Sequence, residues 1–247
     1  MAEITNLEDL ADDMSRRGKE TAGENTSSKI PHDARSLVDL VMSSSLAARD
    51  PGSVTITRFI ERFRKHEQID LRSASTKKIT AILTEYFEFI DELFYFDLLT
   101  REVDRKIGER VERMPLVTLE IVPTPSRYVL GHFDANKNVL TVYPNRKHEH
   151  DTSNLGSLLI MLAHESVHAM LETFSDRGHR KHHKRVAHNN GHGPVFERLM
   201  NFVFGHIEDW MDSEDITRFR NRTEPLFPKE EEEDATKATE QLTTRSA

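Results

Sequence analysis

An α+β fold, with helices packed around a small β-sheet, is what this sequence predicts, and three observations predict it. Apolar residues recur three and four apart through residues 56–63 and 79–94. The period falls to two after Pro115. Residues 153–174 then return to a helix that is apolar nearly all round and carries the pattern H-E-x-x-H.

Taken in order, residues 1–30 are rich in Ser, Thr, Gly and charge and nearly free of bulky apolar side chains, the composition of a disordered tail. Residues 31–75 read as a helical extension. In it "PHDARSLVDLVMSSSLAARDPG" predicts a short helix closed by Asp50, Pro51 and Gly52, and Ile56, Phe59, Ile60 and Phe63 predict a second helix before "EQIDLRS". A domain spanning 76–222 opens on "TKKITAILTEYFEFIDELFYFDLLTREVDRKIGERV". This is the strongest amphipathic segment, and its aromatic residues read as core packing. Next, "LVTLEIVP" and "NVLTVYP" predict short strands with "DANKN" as the connecting turn. The H-E-x-x-H helix follows, with Thr152 or Ser153 as its expected cap. "SDRGHRKHHKRVAHNNGHG" reads as a polar loop, and Pro194 sits at the first position of a last helix, "PVFERLMNFVFGHIEDWM". Residues 223–247 predict an acidic, solvated tail.

Composition narrows the function classes. The net charge is −8 and the sequence pI is near 5.9, which is not the balance of a dedicated nucleic-acid binder. Five of the 42 acidic residues lie together at positions 230–234, so any nucleic-acid contact must come from a local patch. With no cysteine, disulfides, thiolate zinc sites and thiol catalysis are excluded, and a metal has to be held by His, Asp or Glu. There is no signal-like N-terminus and no run of about 18 apolar residues. The expectation is a soluble intracellular protein of nucleus or cytoplasm, without membrane contact. The sequons at Asn25 and Asn221 are then chance matches, and the oligomeric state is not legible.

The motif carries the chemistry. On a helix, His164 and His168 lie about 40° apart around the axis, so both imidazoles can reach one metal ion. Glu165 lies about 100° from His164, placed to address a water on that metal without ligating it. Two imidazoles and a carboxylate among leucines and methionines are costly to desolvate, and a bound zinc satisfies all three. A catalytic zinc takes three protein ligands, and six histidines follow the motif: His179, His182, His183, His188, His192 and His206. Leu171 and Phe174 stand where the metzincin spacing requires Gly and His, which excludes that subclass. Glu172 or Glu197 is the carboxylate alternative. "NNGHGPVF" favours His192, because its flanking glycines permit close backbone approach just before a helix.

"AHESVHA", followed by "GHGPVFERLM" and preceded by "LGHFDANKNVLTVYP", resembles the SprT-like zinc metalloprotease domain family, which includes the Spartan-type DNA-protein crosslink proteases. The resemblance spans roughly residues 79–210, and "YFEFIDELFYFDLL" and "VTLEIVP" are similar to the family's first helix and first strand. It implies a zincin-like architecture with the metal between two helices. It also implies His164, His168 and His192 as zinc ligands, Glu165 as general base, and protein substrates bound or crosslinked to DNA. Unlike many members, this chain has no cysteine-based zinc module. The stretch between His168 and His192 is also expanded, and contains Arg177, Arg180, Lys181, Lys184 and Arg185 with no acid among them. These five are the candidate DNA contacts; the plainer reading is a solvated loop, and residues 218–222, "RFRNR", form a second small basic patch. The rival function is a non-catalytic, zinc-stabilised module that binds chromatin or a partner protein.

Overall fold

The computed structural model describes residues 33–71, 73–107, 110–124, 130–145, 154–187 and 191–211. Both predicted tails, the 218–222 patch and His188 lie outside the described residues.

The described residues begin with α1 (Ala34–Ser44) and the short α2 (Leu46–Arg49). The single helix expected here is broken at Ser45. This residue ends α1 with its backbone extended at ψ 145°, and its hydroxyl then accepts from the Ala48 N–H to start α2. Helix α3 (Val54–His66) is capped by Ser53 and buries Ile56, Phe59 and Phe63; α4 (Thr76–Ile90) is capped by Ser75 and buries Ile79, Ile82, Leu83, Tyr86 and Phe87.

The amphipathic pattern that begins at Thr76 does not continue as one helix. It ends in a π-helical turn, Asp91–Tyr95, followed by Phe96 and Asp97, both left-handed at φ 56°. Two adjacent non-glycine residues in that region need support from outside. Asp91 provides it: fully buried, it accepts from the Leu99 N–H at 3.0 Å, the Thr100 N–H at 2.7 Å and the Thr100 hydroxyl at 2.7 Å. The charged stretch beyond is therefore not helix. It is an antiparallel hairpin, β1 (Glu102–Ile107) with β2 (Arg110–Pro115).

A separate three-stranded sheet contains β3 (Thr118–Ile121), β4 (Gly131–Asp134) and β5 (Val139–Val142) in the order β3-β5-β4. Strands β3 and β5 are the predicted pair, and they run parallel. The turn through 135–138 joins β4 to β5 rather than β3 to β5; β4 is a strand the sequence reading missed. Helix α5 (Leu155–Phe174) packs on β4, β5 and α4. Its cap is Asn154, whose side chain accepts from the Ser157 N–H at 2.8 Å, one position beyond the expected Ser153. Thr152 and Ser153 lie outside the described residues.

After α5, the polar loop contains a π-helical turn, His183–Ala187. Pro194 then opens α6 (Pro194–Trp210), which lies against α5 and α1. Leu158, Leu159, Leu162, Ala163, Val167, Met170 and Leu171 of α5 are all at 0% exposure, so this helix forms the centre of a mixed α+β core. Burial of that kind, at about 25 cal/mol per Å² of apolar surface, holds α5 against neighbours on each face. Among the described residues no helix is long and apolar enough to cross a membrane.

Candidate metal centre

Three imidazoles converge where α5 meets the start of α6. His164 and His168 come from successive turns of α5, and His192 from the loop that ends at Gly193, the residue before α6. Their Nε2 atoms form a nearly equilateral triangle: 3.2 Å between His164 and His168, 3.2 Å between His168 and His192, and 3.0 Å between His192 and His164.

Hydrogen bonding among themselves cannot satisfy these nitrogens. An imidazole Nε2 either donates its proton or accepts through its lone pair. With two roles and three atoms, at least one of the three pairs must be donor against donor or acceptor against acceptor. A cation that receives all three lone pairs removes the conflict. Tetrahedral zinc, with Zn–N of about 2.0–2.1 Å, needs its nitrogens about 3.3 Å apart, close to the observed edges. Burial holds His164 and His168 neutral, lowering them from the usual histidine range to about 3 and about 2, with the neighbouring imidazoles adding to the effect. Neutral imidazole is the form that ligates metal.

The geometry depends on residues around the three imidazoles. Phe196, fully buried in the first turn of α6, lies beneath all three rings. It stacks on His168 with centroids 4.3 Å apart and meets His164 and His192 at 4.9 and 4.8 Å. Gly191 has φ +91°, a left-handed conformation, and a Cβ there would come within 3.1 Å of the His168 ring. Gly193 has ordinary extended angles, φ −74° and ψ 172°, so its need for glycine is steric: a Cβ would fall 2.2 Å from the Arg185 carbonyl oxygen. The Gly193 N–H also donates to the Val186 carbonyl at 3.2 Å.

Glu165 is 5% exposed and faces β4. The Phe133 N–H hydrogen-bonds its carboxylate, and Gly131 lets the strand approach, since a Cβ at that position would lie 3.1 Å from the Glu165 Cγ. Burial raises Glu165 to about 8, against the smaller opposing effect of the Phe133 N–H. That value belongs to the metal-free site; a cation at the triangle favours the carboxylate form.

Among the described residues, His164, His168 and His192 are the grouping of three ligand-type side chains close enough to share an ion. The carboxylate alternatives lie outside it. Glu172 is paired with Arg177 at 3.2 Å, and Glu197 is not part of the cluster. His182 contacts the Ser175 hydroxyl, His179 accepts from the Lys181 N–H, and His206 stacks on Trp210 and meets Phe94 at a tilt.

The basic insert divides in two. Arg177 donates from Nε and Nη2 to the Glu172 carbonyl at 2.9 and 2.7 Å, closing the C-terminal end of α5. Arg185 pairs with Asp33 at 2.8 Å. Arg180, Lys181 and Lys184 are exposed and remain as the cationic surface. Phe196, Gly131 and the Phe133 N–H are site features that sequence reasoning missed. A phenylalanine in an amphipathic helix reads as core, and a backbone donor has no side-chain signal. Comparison with protein-family models, with curated proteins and with solved structures found no match.

Proposed function

We propose that this chain is a zinc-dependent endopeptidase of the SprT-like type, with a zincin-like arrangement of its site between α5 and α6. The observation that carries the proposal is the Nε2 triangle with a buried carboxylate, Glu165, one residue from His164. The sequence resemblance supports it.

His164, His168 and His192 would hold the metal, with Phe196 packed against all three rings. When bound, zinc would supply Lewis acidity toward water and toward a peptide carbonyl. Glu165 accepts the proton of the attacking water at its carboxylate and returns it to the departing amine nitrogen. The Phe133 N–H favours the carboxylate form of Glu165, the form that can take a proton. A purely structural metal site has no use for a buried base beside its ligands, and on this ground the enzyme reading is preferred over the zinc-stabilised binding module. DNA-bound proteins are the substrate class we propose, supported by the resemblance and by exposed Arg180, Lys181 and Lys184 beside the metal loop.

Zinc binding by two variants tests the ligand set. His192→Ala is expected to lose zinc affinity by orders of magnitude, and Glu197→Ala to keep it. The reverse result rejects the three-histidine site. Glu165→Gln should keep one zinc per chain and lose peptide hydrolysis.

A further inference from the structure

Helix α1, the first among the described residues, is remote in sequence from the three histidines, yet it makes ion pairs on both sides of His192. Asp33, the residue that caps α1, pairs with Arg185 at 2.8 Å; Asp39, within α1, pairs with Arg198 at 2.6 Å. Arg185 precedes His192 by seven residues and Arg198 follows it by six, so one helix ties down both ends of the segment that delivers the third imidazole.

The two pairs are not equal. Arg198 and Asp39 are 40% and 54% exposed, and a pair so open to water contributes little. Arg185 and Asp33 are 23% and 31% exposed, and their contact leads directly to the ligand. The Arg185 carbonyl is the atom against which Gly193 is packed, and the next residue, Val186, accepts the Gly193 N–H. Any displacement of Arg185 therefore passes through one peptide to Gly193, and from there to His192. Asp33 is itself held firmly. Burial alone would raise its carboxyl, but the Ser36 hydroxyl, the Arg35 and Ser36 N–H groups and the Arg185 charge together keep it below the usual carboxylate range.

We propose that Asp33 and Arg185 are positioning residues for His192: by clamping the loop between α5 and α6 to α1, they set the third vertex of the histidine triangle. The proposal rests on the metal-site reading above. It makes the helical segment at 31–75 a working part of the metal centre rather than an appendage to it.

The test is zinc affinity of the full chain, measured by competition with a chromophoric chelator, together with the visible spectrum of the cobalt-loaded protein. Asp33→Asn is the informative variant, because asparagine still caps a helix while the charge is lost. Asp33→Asn and Arg185→Gln are each expected to weaken zinc binding about tenfold or more, the range of outer-shell substitutions at metal sites. The cobalt spectrum should shift. Trp210 fluorescence, from the single tryptophan at the far end of α6, reports whether each variant is folded. Should any fail to fold, Arg185→Lys, which keeps the charge and loses the forked guanidinium, gives a smaller loss in the same direction. Unchanged zinc affinity in Asp33→Asn and Arg185→Gln overturns the clamp. Absence of zinc from the wild-type chain overturns the metal-site reading beneath it, a separate outcome.

Discussion

Gly193→Ala is the smallest change that should dismantle the site. The backbone angles there suit alanine, so no conformational penalty arises; the obstacle is the Arg185 carbonyl oxygen, 2.2 Å from the new Cβ, with the Arg185 carbonyl carbon at 2.6 Å. A carbon and an oxygen need about 3.2 Å or more, so a gap of about 1 Å must open between the two strands of the loop. That opening breaks the 3.2 Å hydrogen bond from the Gly193 N–H to the Val186 carbonyl, costing about 1 kcal/mol. Overpacking adds about 1–3 kcal/mol. The sum, roughly 2–4 kcal/mol, corresponds to a fall in Tm on the order of 5–10 °C for a chain of this size. His192 moves by a comparable distance out of a triangle whose edges are 3.0–3.2 Å, so zinc affinity should fall about 10- to 100-fold. Thermal melts of metal-free protein and zinc competition with a chelator read the two effects separately. A variant with wild-type Tm and wild-type zinc affinity refutes the steric argument and, with it, the placement of His192.

Gly131→Ala acts on Glu165 instead of on the three histidines. Its Cβ would press on Glu165 and Met161 at 3.1 Å, so hydrolysis should drop tenfold or more while zinc stoichiometry and affinity hold; equal losses in both would show that β4 does not act through Glu165. In metal-free protein, Glu165 is raised to about 8 against an ordinary value of 4.5, so folding favours its protonated form and stability falls as pH rises through that window. His164 and His168, lowered by burial, oppose this only below pH 6.5. Between pH 6.5 and 8 the metal-free chain should therefore lose roughly 2 kcal/mol, and Glu165→Gln should abolish the slope in urea unfolding followed by Trp210 fluorescence. A slope that persists in the variant assigns the titration elsewhere. Finally, Gly205 lies inside α6 with open space where a Cβ would go, so Gly205→Ala should raise stability by about 1 kcal/mol without touching zinc affinity. A lower Tm would contradict the packing described for α6.

What could be read in the sequence followed the range of the interactions. His164 and His168 were legible because the helix itself sets their spacing. His192 was legible because glycines on both sides marked a close approach, and the structure attaches a separate cause to each: left-handed φ at Gly191 and contact with Arg185 at Gly193. The hairpin Glu102–Pro115 was hidden because its charged residues follow a strong helical period; the chain reverses at Phe96 and Asp97, with neither Gly nor Pro to mark the turn, under the control of buried Asp91. Strand β4 is four residues long, and its opening glycine, which weakens the strand signal, is there to admit Glu165. The tie from Asp33 to Arg185 spans 152 residues, a separation at which no periodicity in a single sequence can report a contact.

The proteolytic reading is decided by cleavage of a DNA-binding protein by the zinc-loaded full chain, with and without single-stranded DNA and beside Glu165→Gln. One zinc per chain is expected in both proteins, with DNA-stimulated cleavage by the wild type and none by the variant. Cleavage that survives in Glu165→Gln, or a wild-type chain that holds one zinc and cuts under neither condition, would contradict it.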